Sequence, residues 1–279
     1  MVTDTRRTPI LLYHDVCAPG EAPEDNFAVT GESFRAQMAY LAANGLRGVS
    51  LASLLAETPR GGRAGAPGAD ARTAVVLTFD DGDVSHHDVV LPILGEAGFN
   101  ATFFVIAGEI GDRGRMDEAM LREMAASGME LGSHGLRHTF LTAYDEEALV
   151  GELAASKRIL EGSSAGPVTS LSVPRGFYNG RVLRAARAAG FAAACVSDAG
   201  YNDFSGPPPF VLKRFAMRSG LDPRAFGSIV RGRPAWSIVA SELLRARLRA
   251  VLGHRAYDRM RALRYGARRP EGQKGTPKA

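Results

Sequence analysis

Short apolar runs recur along this chain, each ends in polar residues able to do chemistry, and helical segments separate them. That punctuation leaves few folds open. Ile10-Leu11-Leu12-Tyr13 ends at His14, and Ala74-Val75-Val76-Leu77 runs into Thr78-Phe79-Asp80-Asp81-Gly82. Met129-Glu130-Leu131-Gly132-Ser133 delivers His134, and the run 170–173 delivers Pro174-Arg175-Gly176. Helical spacings lie between them: Thr30 as N-cap to Gly45, 89–97 closed by Gly98, 117–127, 145–160 with Leu149, Leu153 and Ile159 inward, and 181–189. Further strands are predicted at 101–106, 192–196 and 210–217. Such alternation predicts an α/β fold of parallel strands with crossover helices. In a parallel barrel the residues that follow the strands meet at one rim, where such enzymes carry their active sites. Four polar clusters at strand ends favour that arrangement.

Two adjacent acids after a buried strand are costly unless paired, protonated or bound to a cation. Alternation along an extended chain would let one of them hold a cation while the other faces a substrate. His134 and His138, four residues apart, supply imidazoles from a second strand end. One carboxylate with two imidazoles leaves coordination positions open, the pattern of a catalytic rather than a structural zinc-type site. The plainer alternatives are an Asp-Asp helix cap and an exposed histidine pair; neither explains why both occur at strand ends.

Composition sets the outer limits. The 279 residues are 45% hydrophobic and 23% charged, ordinary for a globular protein. Cys17 and Cys195 fit no paired metal motif, and a reducing compartment is the simpler expectation. The apolar run after Arg6 and Arg7 is too short for a signal-peptide core, so the protein is expected to be cytoplasmic. Charge is unevenly spread: from Leu243 to Ala279 there are eleven Lys or Arg against Asp258 and Glu271, which leaves the body acidic. We divide the chain into a barrel over 1–235, with its core motifs in 73–201, and a basic helical extension and tail over 236–279. The stretch 60–69 reads as an exposed loop. The basic helix could pack on the barrel or lie on the inner face of an anionic membrane. No nucleic-acid recognition motif is present, and the acidic body argues against that partner.

Thr78-Phe79-Asp80-Asp81-Gly82 and Ser133-His134-Gly135-Leu136-Arg137-His138 resemble the first two motifs of the polysaccharide deacetylase family, carbohydrate esterase family 4. The similarity continues through 91–94, 101–105 and 128–132. The resemblance implies a distorted (β/α) barrel and metal-dependent removal of an acetyl group from an N-acetylated sugar in glycan, polysaccharide or glycolipid assembly. It implies that Asp81, His134 and His138 hold one divalent ion, zinc first, with cobalt or nickel as alternatives, and that Asp80 is the general base. The family's late Leu-x-His acid motif has one match, Leu252-Gly253-His254, inside the basic tail. Leu12-Tyr13-His14-Asp15-Val16 instead looks like that strand in the permuted branch resembling poly-N-acetylglucosamine deacetylases, which makes His14 the general acid.

The third motif departs from the family pattern: Ser172 stands where an Arg two residues before Pro174 would orient the catalytic acid. Arg175 could reach Asp80 from the other side of that turn, bind an anionic group of the substrate, or face solvent; we assign it to substrate binding. Asp198 is the candidate fourth-motif acid, without the usual Trp, and Trp236 lies too far along to fill that place. His86 and His87 are expected at the mouth of the site or on the surface. Two rival functions share these residues: hydrolysis of another C–N bond, such as a cyclic amide or ureide, and a non-enzymatic membrane-associated scaffold.

Overall fold

The structure, a computed structural model, describes residues 7–18, 20–23, 25–58, 73–164 and 166–233. The loop 60–69, Trp236, the Leu252-Gly253-His254 motif and the basic helix and tail of 236–279 lie outside these residues. The described strands are β1 (Ile10–Tyr13), β2 (Val16–Cys17), β3 (Val29–Thr30), β4 (Arg47–Val49), β5 (Ala74–Phe79), β6 (Thr102–Val105), β7 (Glu130–Ser133), β8 (Ser170–Ser172), β9 (Ala193–Cys195), β10 (Val211–Leu212) and β11 (Phe215–Ala216). The main sheet runs in the order β10-β9-β8-β7-β6-β5-β1-β11, and every ladder along it is parallel. β4 pairs with β5 off this path, and β2 pairs with β3 separately. All residues of β1 and β5 are buried. Strands covered on both faces read as continuous apolar runs, which is why these two stand out in the sequence.

The two ends of the sheet are one chain segment. Val211 and Leu212 pair with Ala194 and Cys195 of β9, while Phe215 and Ala216 pair with Leu11 and Leu12 of β1. Only Lys213 and Arg214 intervene, so a single kinked strand bridges β9 to β1 and brings the sheet round into a distorted barrel. The fold class expected from the sequence is therefore the one observed over the described residues.

The described α-helices are α1 (Gly31–Ala43), α2 (Leu51–Glu57), α3 (Leu91–Ala97), α4 (Glu118–Ala126), α5 (Glu146–Ser164), α6 (Gly180–Ala188) and α7 (Pro223–Val230). Their starts follow the side chains that read as caps: Thr30 accepts from the Ser33 N–H, Asp117 from Met120, and Asn179 from Val182. Gly98 ends α3 in the left-handed region, at φ 66°. The short elements β2, β3, β4, α2 and α7 are not among those expected from the sequence. A π turn over His86–Val90 also precedes α3, where one continuous helix from Val89 is expected. Among the described residues no helix is long and apolar enough to cross a membrane.

Alternation on β5 sorts its side chains. Tyr13 of β1 and Phe79 stack at 5.1 Å and both meet Phe34 of α1, so the odd-numbered residues of β5 face the helices. The even-numbered ones, Val76 and Thr78, face the barrel interior, and Asp80 continues that row.

Candidate active site

Asp81, His134 and His138 converge at the rim. One ligand atom from each lies within 4.8 Å of the others. Asp81 Oδ1 is 3.3 Å from His134 Nε2 and 3.4 Å from His138 Nε2. Two donors about 2.1 Å from a tetrahedral ion stand about 3.4 Å apart, so the donor set and its spacing both suit a zinc-type cation. Asp81 and His134 are buried, and His138 is partly open to solvent. His134 Nδ1 lies 3.0 Å from the Ser172 carbonyl oxygen. A carbonyl can only accept, so Nδ1 carries a hydrogen, and Nε2 faces Asp81 as the atom that would bind a cation in place of its own proton. Burial, and then the charge of His134, push His138 down to about 3, which keeps its imidazole neutral as a ligand must be. Burial works against ionisation of Asp81, but chiefly its contact with His134 holds it well below the usual carboxylate range.

Backbone geometry explains how both acids reach one place. Asp81 has φ 80° and Gly82 φ 74°, so the strand's alternation breaks between the two carboxylates. His134 Nε2 consequently lies near both, with Asp80 Oδ2 at 4.0 Å. The expectation that the two acids point opposite ways is corrected here; the left-handed residue turns Asp81 back toward the interior row. Asp81, His138 and Arg175 are the non-glycine residues with positive φ among those described, and all three belong to this rim. Such conformations cost roughly 1–3 kcal/mol each and persist where surrounding structure enforces them.

Asp80 is gripped by a residue that no sequence motif singles out. Arg214 Nη1 donates to Asp80 Oδ1 and Nη2 to Asp80 Oδ2, both at 2.8 Å, a two-pronged pair buried at the kink between β10 and β11. Arg214 Nε also donates to the Val196 carbonyl at 3.1 Å, and Ser172 Oγ donates to Asp80 Oδ2 at 2.9 Å. Burial opposes the charge on Asp80, but Arg214 and His134 overcome it and lower the carboxyl to about 2. Ser172 thus has three contacts at the site: its hydroxyl donates to Asp80 and accepts from Arg214 Nη2 at 2.8 Å, and its carbonyl orients His134. The Arg missing from the third motif is replaced across the barrel by Arg214, not by Arg175.

His14 follows β1 at the same rim, close enough to interact electrostatically with both Asp80 and Asp81. Its ring meets Phe27 at 5.1 Å. Arg175 is exposed: its Nε donates to the His138 carbonyl at 3.3 Å and its guanidinium lies 5.0 Å from the centre of the Phe140 ring. Asp198 accepts from the Tyr178 hydroxyl at 3.1 Å, and its carbonyl takes the Arg214 backbone N–H at 2.9 Å. His86 does not line the mouth; it is wholly buried, with Nε2 2.9 Å from the His14 carbonyl. His87 sits toward the surface between Asp88 and Glu123.

A second unforeseen residue is Glu152 of α5. Its Oε1 accepts the backbone N–H groups of Leu136 and Arg137, each at 2.9 Å, and Oε2 accepts from the Tyr144 hydroxyl at 3.2 Å. This buried carboxylate clamps the loop between His134 and His138. Both residues leave a signal. Arg214 interrupts the apolar run 210–217, and Glu152 falls on the inward stripe with Leu149 and Leu153. Ile159, expected inward, is only half-buried, and Ser156 and Leu160 continue the stripe.

A curled parallel sheet with a carboxylate–imidazole cluster at its C-terminal rim defines a distorted (β/α) barrel with a candidate metal site. Residues 68–194 match the family model described as polysaccharide deacetylase. Over that stretch the chain is similar to the polysaccharide deacetylase family. YxkH of Bacillus subtilis, named for the same family, is 26% identical over 226 residues, covering 80% of this chain and 76% of its own. A chitooligosaccharide deacetylase of Rhizobium leguminosarum bv. trifolii is 34% identical over 126 residues, 44% of this chain and 55% of the relative. The solved structure of Streptococcus pyogenes deacetylase PplD in complex with acetate superimposes with a TM-score of 0.71 at 23% identity, covering 80% of this chain and 98% of that one. At that identity the likeness speaks for the fold.

Proposed function

We propose that the protein is a metal-dependent carbohydrate N-deacetylase, which hydrolyses the acetamido C–N bond of an N-acetylated sugar to acetate and a free amine. The observation that carries this reading is the spacing of Asp81, His134 and His138 beside an Asp80 locked by Arg214. The three residues would hold one divalent cation, zinc by the chemistry of the donor set, with cobalt or nickel as alternatives. A cation there supplies Lewis acidity, polarising the acetyl carbonyl and making water a better nucleophile at neutral pH.

The chain's own groups do the rest. Asp80 stays ionised and aimed because Arg214 and Ser172 bond its oxygens, and it takes the proton from the attacking water. Since an amide anion is too poor a leaving group, the amine nitrogen must receive a proton as the C–N bond breaks, and His14 is the group we assign to donate it. Arg175 and Phe140 together offer the rim a cationic and an aromatic face, suited to a sugar ring carrying an anionic group.

The wider reading rests on composition. The barrel of 1–235 would carry the chemistry, and the basic segment 236–279 would touch an anionic membrane surface on its cytoplasmic side during glycan, polysaccharide or glycolipid assembly. The deciding experiment is acetate release from a panel of N-acetylated sugars, with zinc or cobalt added or chelated. Wild type should depend on the metal, and Asp80→Asn should lose at least about a hundredfold in kcat while still binding zinc. Metal-independent turnover, or no acetate from any sugar while cyclic amides react, would refute the assignment.

A further inference from the structure

The turn that carries Asp80 and Asp81 also reaches back to the segment leaving β1. His86 Nε2 lies 2.9 Å from the His14 carbonyl oxygen, and the Val16 N–H donates to Ser85 Oγ at 3.3 Å. These two bonds fall on either side of Asp15 along the chain, on the backbone that carries His14. The ladder of β1 does not supply them: its closing rungs are Asp80 N–H to the Tyr13 carbonyl and Met217 N–H to the Leu12 carbonyl. The His14 ring meets Phe27, tilted, with 5.1 Å between ring centres.

His86 is an expensive residue to bury in this place. It is fully enclosed, with its ring 5.4 Å from Phe79 and 5.6 Å from Phe103. Burial lowers its pKa, so the ring is neutral, and Nε2 must carry the hydrogen to bond a carbonyl. Nδ1 then has no partner among the described residues. An unpartnered buried acceptor costs roughly 1–3 kcal/mol, which a leucine or phenylalanine in the same aromatic pocket would avoid. What the imidazole adds over those side chains is its bond to the carbonyl of His14.

We propose that Ser85 and His86 are positioning residues that hold His14 toward the departing amine, so that one short turn fixes the general acid relative to the base. This rests on the reading of His14 as the acid. In amide hydrolysis water adds to the acetyl carbon and gives its proton to Asp80; the C–N bond then breaks, and the amine nitrogen takes a proton from His14. An aryl ester such as 4-nitrophenyl acetate breaks a C–O bond instead, and its phenolate leaves without a proton. A displaced acid therefore slows the amide and spares the ester.

The test compares kcat on an N-acetylated chitotetraose with kcat on 4-nitrophenyl acetate, for the zinc-loaded wild type, His86→Leu, His86→Asn, Ser85→Ala and His14→Ala. His86→Leu should lose about tenfold or more on the amide, with ester kcat, amide KM and zinc affinity within about twofold of wild type. Ser85→Ala should shift the amide-to-ester ratio the same way, and His86→Asn, which keeps an N–H donor, should recover most of it. Equal losses on both substrates, or a wild-type ratio in His86→Leu, overturns the proposal. If His86→Leu does not fold, the ratio in Ser85→Ala decides in the same manner. His14→Ala separates the two layers. A ratio unchanged there removes the acid assignment itself, whereas a collapsed ratio there with normal ratios in the turn variants removes only the role of the turn.

Discussion

Asp80 and Arg214 form a buried pair joined by two parallel hydrogen bonds. Both are buried, and each offsets the other's cost of leaving water. Arg214 cannot be replaced by a general cation, because its fork bonds both carboxylate oxygens and still reaches the Val196 carbonyl. Arg214→Met should destabilise the fold by about 3–5 kcal/mol, since it strands a buried carboxylate, and Arg214→Lys should recover only part of that. Urea denaturation of the three proteins measures it; a Met variant within about 1 kcal/mol of wild type would show that Asp80 finds another partner. Of this pair the sequence displays only the acid. A strand-end carboxylate announces its need for a partner, but the partner lies far along the chain, and no local pattern couples them.

Among the secondary-structure elements, a helix holds the histidine loop from outside. Glu152 of α5 ties down the peptide N–H groups of Leu136 and Arg137, between the two imidazoles. Glu152→Gln would present an amide with a single acceptor oxygen, and the loop should loosen. Zinc affinity, read by chelator competition, should weaken about 10–100-fold while the helix content stays the same. A second contact between elements is electrostatic. His87 in the π turn faces Asp88 and Glu123 of α4; partial burial disfavours its charge, but the bonds to both carboxylates outweigh this and raise its pKa. A raised folded value means the stabilisation is complete below the unfolded pKa of about 6.5 and fades as pH rises through the folded value. The stability difference between wild type and His87→Gln should therefore be largest in mild acid, at most about 1 kcal/mol for so exposed a set, and vanish in alkali. A difference that grows with pH would contradict that sign. Caps and periodicity make these helices readable. The contacts that give them functional meaning are not, because a helix's sequence shows which face is buried but not what it is buried against.

Taken as one body, the barrel makes the site only once its sheet has curled. His14, Asp80, His134 and Ser172 come from four strands, and Arg214 from the kinked segment that joins β9 to β1. A cation shared by ligands that follow β5 and β7 should therefore stabilise the folded chain. Zinc at about a thousand times its dissociation constant should add about 4 kcal/mol to unfolding, seen as a raised Tm that a chelator reverses and that is lost in His134→Ala. No shift in the wild type would count against the metal assignment. The strand–helix alternation, the caps, and the identity of the acids and imidazoles at strand ends can all be read from the residues in order, because they follow from local spacing and burial. Closure of the barrel was needed to settle that Asp81 turns back beside Asp80, that Arg214 rather than Arg175 grips that acid, and that Glu152 and His86 brace the two ends of the site. A buried charge or polar group finds its partner through space, and neighbouring residues along the chain carry no record of that distance.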